Sequence, residues 1–91
     1  MDALRSELGD LLPTEPGSEN LLRFYALLVL TKGSRTTLED VHHAWALWTV
    51  ATNPDHPSIV PFDQLTAEVQ EEDQPFLEAI HRAASRIRQA P

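Results

Sequence analysis

Apolar positions along the chain fall into helical spacing almost everywhere. Leu4, Leu8, Leu11 and Leu12 repeat at i+3/i+4 and predict a short amphipathic helix over 2–12, weakened by Gly9. Pro13, Thr14, Glu15, Pro16 and Gly17 form a breaker cluster and predict a loop. Beyond it Leu21, Leu22, Phe24, Tyr25, Leu27, Leu28, Val29 and Leu30 cover nearly the whole circumference of a second helix. Such a helix is central and buried, or buried on one side and shared with a second copy on the other. Ser18 or Asn20 is placed to cap it, and Gly33 to end it. Thr36 to Glu39 has capping-box spacing and predicts a third helix from about 38 to 52, with Val41, Ala44, Trp45, Trp48 and Thr52 on one face. Thr66 is a cap for a short acidic segment over 67–72, and Asp73 caps a last helix over 74–89. The buried stripe of that helix is Phe76, Leu77, Ile80, Ala83, Ala84 and Ile87.

The stretch from His56 to Leu65 breaks this rhythm. Pro57 and Pro61 fix φ twice and bias the residues before them toward extended geometry. Ile59, Val60, Phe62 and Leu65 need burial, and only helices are available to supply it. The expectation is a rigid proline-rich strap packed across the helices, serving either to close the core or as one wall of a ligand pocket. The fold class is therefore all-α, a small domain of about four helices plus the strap. The expected division is residues 1–17 as a short helix and loop, and 18–91 as the main helical domain.

Composition narrows the function. The chain has 91 residues and a formal net charge of −7, which disfavours a nucleic-acid partner because phosphate neutralisation needs a basic face. There is no cysteine, no apolar run long enough for a membrane span, and no signal-peptide pattern. A cytoplasmic protein without membrane attachment is the expectation. No catalytic residue or cofactor is assigned. His42 and His43 point about 100° apart on a helix and cannot share an ion. Glu78 and His81 have the spacing of a di-iron half-motif, but its companion carboxylates are missing, so no metal is expected. The three glycines leave no phosphate-cradling loop and no nucleophile elbow.

What remains is a binding module. Two tryptophans one turn apart are either core or a stacking surface. Arg82 and Arg86, one turn apart, are either a solvated helix end paired with Glu78 or a phosphate clamp. Candidate ligand-binding residues are His42, Trp45, Trp48, His56, Pro57, Val60, Phe62, Arg82 and Arg86.

The order Val41-His42-His43-Ala44-Trp45-Ala46, then His56-Pro57-Ser58-Ile59-Val60-Pro61-Phe62-Asp63-Gln64-Leu65, then an acidic run ending in Asp73, resembles the ryanodine receptor repeat, the RyR domain. The similarity spans about residues 38 to 88. It implies a helical fold with an extended connection across it, and membership among the small single-copy bacterial or phage forms. It also implies sensing or sequestering of a small nucleotide-type ligand. His42, Trp45, His56, Pro57, Val60, Pro61, Phe62 and Asp73 occupy the family's signature positions. The family's Gly-Trp-x-Tyr-Gly-like segment is absent, and Thr49 to Asp55 stands in its place. Because receptors carry the repeat in pairs, a single copy implies a homodimer. The competing expectations are a protein–protein adaptor without small ligand and, less supported by spacing, an enzyme acting on a nucleotide.

Overall fold

A computed structural model describes residues 2–14 and 17–89. Glu15 and Pro16 of the expected loop lie outside the described residues, as do Met1, Ala90 and Pro91 of the expected domain limits. The described chain is helical, with no strand among those residues. Its five α-helices are α1 (Asp2–Leu8), α2 (Ser18–Thr31), α3 (Leu38–Val50), α4 (Ala67–Glu71) and α5 (Gln74–Gln89).

Helix α1 stops at Leu8, four residues short of the expected end. Gly9 takes φ +50°, a left-handed value that closes the α-helical ladder, and the chain continues as a 3-10 turn over Gly9–Leu11. Leu4 and Leu8 are fully buried, whereas Leu11 stays exposed. Helix α1 packs on α5, where Ala79 and Ala83 are fully buried. The N-terminal helix therefore shares one core with the rest.

Gly17, not Ser18 or Asn20, stands at the N-cap of α2, with φ +91°. Leu21, Leu22, Tyr25, Ala26 and Val29 are buried, with Phe24 and Leu28 packed beside them. Leu27 and Leu30 face solvent, at 57% and 70% exposed, so the apolar circumference divides into a core side and a bare side. The cap of α3 lies one residue later than the spacing suggested. Thr37 accepts from the Asp40 amide, and Asp40 accepts from the Thr37 amide at 2.9 Å. Thr36 is drawn inward instead, and its hydroxyl donates to the Gly33 carbonyl oxygen at 2.8 Å. Helix α3 ends at Val50; the amides of Thr52 and Asn53 both return to the Thr49 carbonyl, and Pro54 follows.

Between α3 and α4 the strap packs on the helices as a chain of turns. The His56 amide bonds the Asn53 carbonyl, and the Ile59 amide bonds the His56 carbonyl. Pro61 is extended and leads into a 3-10 turn over Phe62–Gln64. Ile59, Val60, Phe62 and Leu65 are half-buried. The Gln70 side chain of α4 holds the turn by donating to the carbonyls of Phe62 and Leu65 at 3.0 and 3.2 Å. Thr66 caps α4 as expected. In α5, Leu77, Ile80, Ala83 and Ala84 are buried and Phe76 is half-buried; Ile87, expected in the stripe, is 41% exposed, beside the end of α2 and the turn at Gly33 that leave it partly uncovered.

Candidate functional site

The strap leaves one side of α3 covered but not filled. A cavity of about 280 Å³ lies there, bounded by α2, α3, the strap and the junction of α4 with α5. From α3 come His42 and Trp45, from the strap His56 and Ser58. Leu21 and Tyr25 come from α2, Val69 from α4, Glu72 and Asp73 from the junction of α4 with α5, and Phe76 from the first turn of α5; Pro13 closes the rim.

One wall is aromatic. His42 and Trp45 stack, with centroids 5.9 Å apart and planes at 26°. The His56 ring meets Trp45 edge-on at 5.0 Å and 82°. Across the space, Tyr25 and Phe76 pack at 5.7 Å. Hydrogen bonds set the histidine tautomers. His42 Nε2 lies 2.7 Å from the Val60 carbonyl oxygen, which can only accept, so Nε2 carries the proton. His56 Nδ1 accepts from the Ser58 amide at 3.1 Å, so its proton in the neutral ring is on Nε2.

The opposite wall is acidic. The Asp73 carboxylate makes no hydrogen bond or ion pair with another described residue, although its backbone carbonyl accepts from the Leu77 amide. Burial raises its pKa; the nearby His42 charge pulls the other way, and the Glu72 charge adds to the rise. Tyr25 is 1% exposed, and burial raises the pKa of its phenol, helped by the charge of Asp73. Its hydroxyl likewise lacks a protein hydrogen-bond partner among the described residues. No lysine or arginine among the described residues lines the cavity.

The candidate residues separate into three groups. His42, Trp45 and His56 line the cavity together. Val60 and Phe62 touch His42 from behind, through the carbonyl contact and a ring contact at 6.1 Å, and Pro57 is exposed on the strap. Trp48, Arg82 and Arg86 are elsewhere. Trp48 packs against the core and donates its indole N–H to the Gly17 carbonyl at 2.9 Å. Arg82 and Arg86 both bind Glu7 of α1, at 2.7 and 3.0 Å, rather than Glu78. Their hydrogen bonds, Arg82 first, hold the Glu7 carboxyl below its usual range. His81 donates from Nε2 to the Thr36 carbonyl at 2.9 Å, and no group of three or more metal-ligating side chains occurs among the described residues.

Sequence reasoning did not list Tyr25 or Asp73 as binding residues. A signal for Tyr25 existed: its phenol sits among aliphatic neighbours in α2, and a buried hydroxyl there needs a partner. Asp73 read as a helix cap, which masked its carboxylate.

No helix among the described residues is long and apolar enough to cross a membrane. Neither a curated protein nor a solved structure matches the chain. A family model described as a domain of unknown function (DUF7701) matches residues 1–85, and the chain belongs to that family.

Proposed function

We propose that this domain is a non-enzymatic module that binds a small nucleotide-type ligand, with the base end held in the cavity. The observation that carries the reading is the cavity itself, where stacked His42 and Trp45 present a flat aromatic wall beneath the strap. Its volume of about 280 Å³ is just under the usual range of ligand sites, about 300–1,000 Å³, which suits a base or nucleoside rather than a larger molecule. Flat rings gain affinity from stacking without needing sequence-like readout. The resemblance of 38–88 to the RyR domain supports the same reading. Phosphate groups would lie outside, since the lining carries Glu72 and Asp73 and no cation. The test is thermal shift and calorimetry against nucleosides and mono-, di- and cyclic nucleotides. Absence of any shift at millimolar ligand removes the reading.

A second reading, a protein–protein adaptor or homodimer, is supported by the bare apolar residues Leu27 and Leu30 on α2 and Leu47 and Val50 on α3. Light scattering of the wild type and of Leu30→Glu tests the homodimer. A monomer in both removes it.

A further inference from the structure

We propose that the Asp73 side of the cavity selects a guanine-type edge, in which a carbonyl oxygen stands beside two adjacent N–H donors. The inference rests on the nucleotide-type reading of the same cavity and names the base. Two independent observations converge on it. Asp73 lines the cavity, and its carboxylate has no hydrogen bond or ion pair with another described residue. Tyr25, 1% exposed, lines the same cavity with no protein hydrogen bond for its hydroxyl among the described residues. A carboxylate and a hydroxyl without protein partners lie on one cavity, and a ligand that drives water out of it has to satisfy both.

The chemistry of the two groups dictates what would satisfy them. An ionised carboxylate only accepts, and its two oxygens match a pair of parallel N–H donors. On a guanine these are N1–H and the 2-amino group. The adjacent O6 accepts, and a phenol can donate to it. Adenine offers one donor beside a ring nitrogen lone pair, which faces the carboxylate repulsively. Hypoxanthine keeps N1–H and O6 but lacks the amino group. A guanidinium or benzamidine cation has the N–H pair without the carbonyl. The aromatic wall of His42 and Trp45 takes any of these rings alike, so discrimination falls to the acidic side.

The experiment is calorimetric titration of the full chain with guanosine, inosine, adenosine and benzamidine, on wild type, Asp73→Asn and Tyr25→Phe. Circular dichroism confirms folding of each variant; asparagine keeps the size of aspartate and removes its charge. The expected order is guanosine tightest, with inosine and adenosine at least about tenfold weaker. Asp73→Asn weakens guanosine by about tenfold or more and leaves adenosine unchanged or tighter, since an amide can pair with an adenine edge. Tyr25→Phe weakens guanosine less than Asp73→Asn does. Adenosine binding as tightly as guanosine overturns the proposal and leaves the nucleotide-type reading standing. An unchanged guanosine affinity in folded Asp73→Asn does the same. Benzamidine binding without guanosine, or no binding by any nucleoside, overturns both.

Discussion

His42 Nε2 and the carbonyl oxygen of Val60 stand 2.7 Å apart and join α3 to the strap across eighteen residues of chain. The histidine is 2% exposed, so the bond is shielded from water. Without it the carbonyl would lose its partner, and the strap would rest on its half-buried apolar side chains, on ring contacts and on the two Gln70 bonds. His42→Phe keeps most of the volume and removes the bond. It is expected to cost about 1–3 kcal/mol in urea denaturation, the range for orphaning a buried acceptor. His42→Ala adds a cavity and should cost more, and amide exchange at Ser58 and Ile59 should accelerate in both. A loss below about 0.5 kcal/mol in His42→Phe would show that the strap is held by other means.

Asp73 predicts an unusual sign in the dependence of stability on pH. Burial raises its folded-state pKa above the unfolded value. Between those two values the folded protein retains a proton that the unfolded chain has released. Stability from this group therefore falls as pH rises through that window, and the penalty is complete above the folded pKa. Glu7, Glu19 and Asp40 behave oppositely. Glu7 is held low chiefly by Arg82, and Glu19 by Arg5. In Asp40 the Lys32 and Thr37 bonds outweigh the opposing effect of desolvation. Their stabilisation is present above the unfolded carboxylate pKa and is lost as pH falls through their folded values. Asp73→Asn is expected to be more stable than wild type at neutral pH, by less than about 1 kcal/mol because the group is partly solvated. The difference should vanish in acid, below the unfolded pKa. Melting curves from pH 3 to 8 decide it, and a variant less stable than wild type at pH 7 contradicts the account.

These two sites show what was legible in advance. The helices could be read because their apolar residues recur at the helical period: α5 matches its expected range, and the strap was located from two prolines around a β-branched pair. Fine register was not legible. Thr36 and Thr37 are equivalent as letters, and the choice between them depended on whether Gly33 had a free carbonyl for the Thr36 hydroxyl. A strap packed across the helices was expected, and it meets His42 and Trp45 of α3; the fate of Trp48 and of the arginines was not. Periodicity placed both indoles on one face, yet one turn of α3 moves Trp48 past the cavity to Gly17. Arg82 and Arg86 turn to Glu7, seventy-five and seventy-nine residues away in sequence, a partner that only the packing of α1 on α5 supplies.

Thr49 offers a stabilising change. It is 6% exposed, and its hydroxyl has no hydrogen-bond partner among the described residues. Valine has nearly the same shape and nothing to desolvate. Replacing a buried, unpaired polar group in this way is neutral or favourable, and Thr49→Val should gain up to about 1 kcal/mol. Thr37→Ala, which removes the capping box of α3, should lose about 0.5–2 kcal/mol instead. Parallel thermal melts of the two variants check both signs, and destabilisation by Thr49→Val would mean that the hydroxyl is satisfied by an ordered water.

The two tryptophans can be assigned separate jobs by fluorescence, because the sequence contains no others. Trp45 lines the cavity; Trp48 is a packing residue whose N–H binds Gly17. Trp48→Phe loses that bond and should cost about 0.5–1.5 kcal/mol, while leaving Trp45 as the sole emitter. Its emission should respond to a ligand in the cavity, since a ring placed against the indole changes its surroundings. Trp45→Phe leaves Trp48, which should report unfolding in urea but stay silent on addition of the same ligand. Trp45→Ala should weaken binding by at least about tenfold, the loss of one stacked ring. If the Trp48 signal moves with ligand and the Trp45 signal does not, the site is at the Gly17 end of α3 and the cavity beneath the strap is only a packing defect.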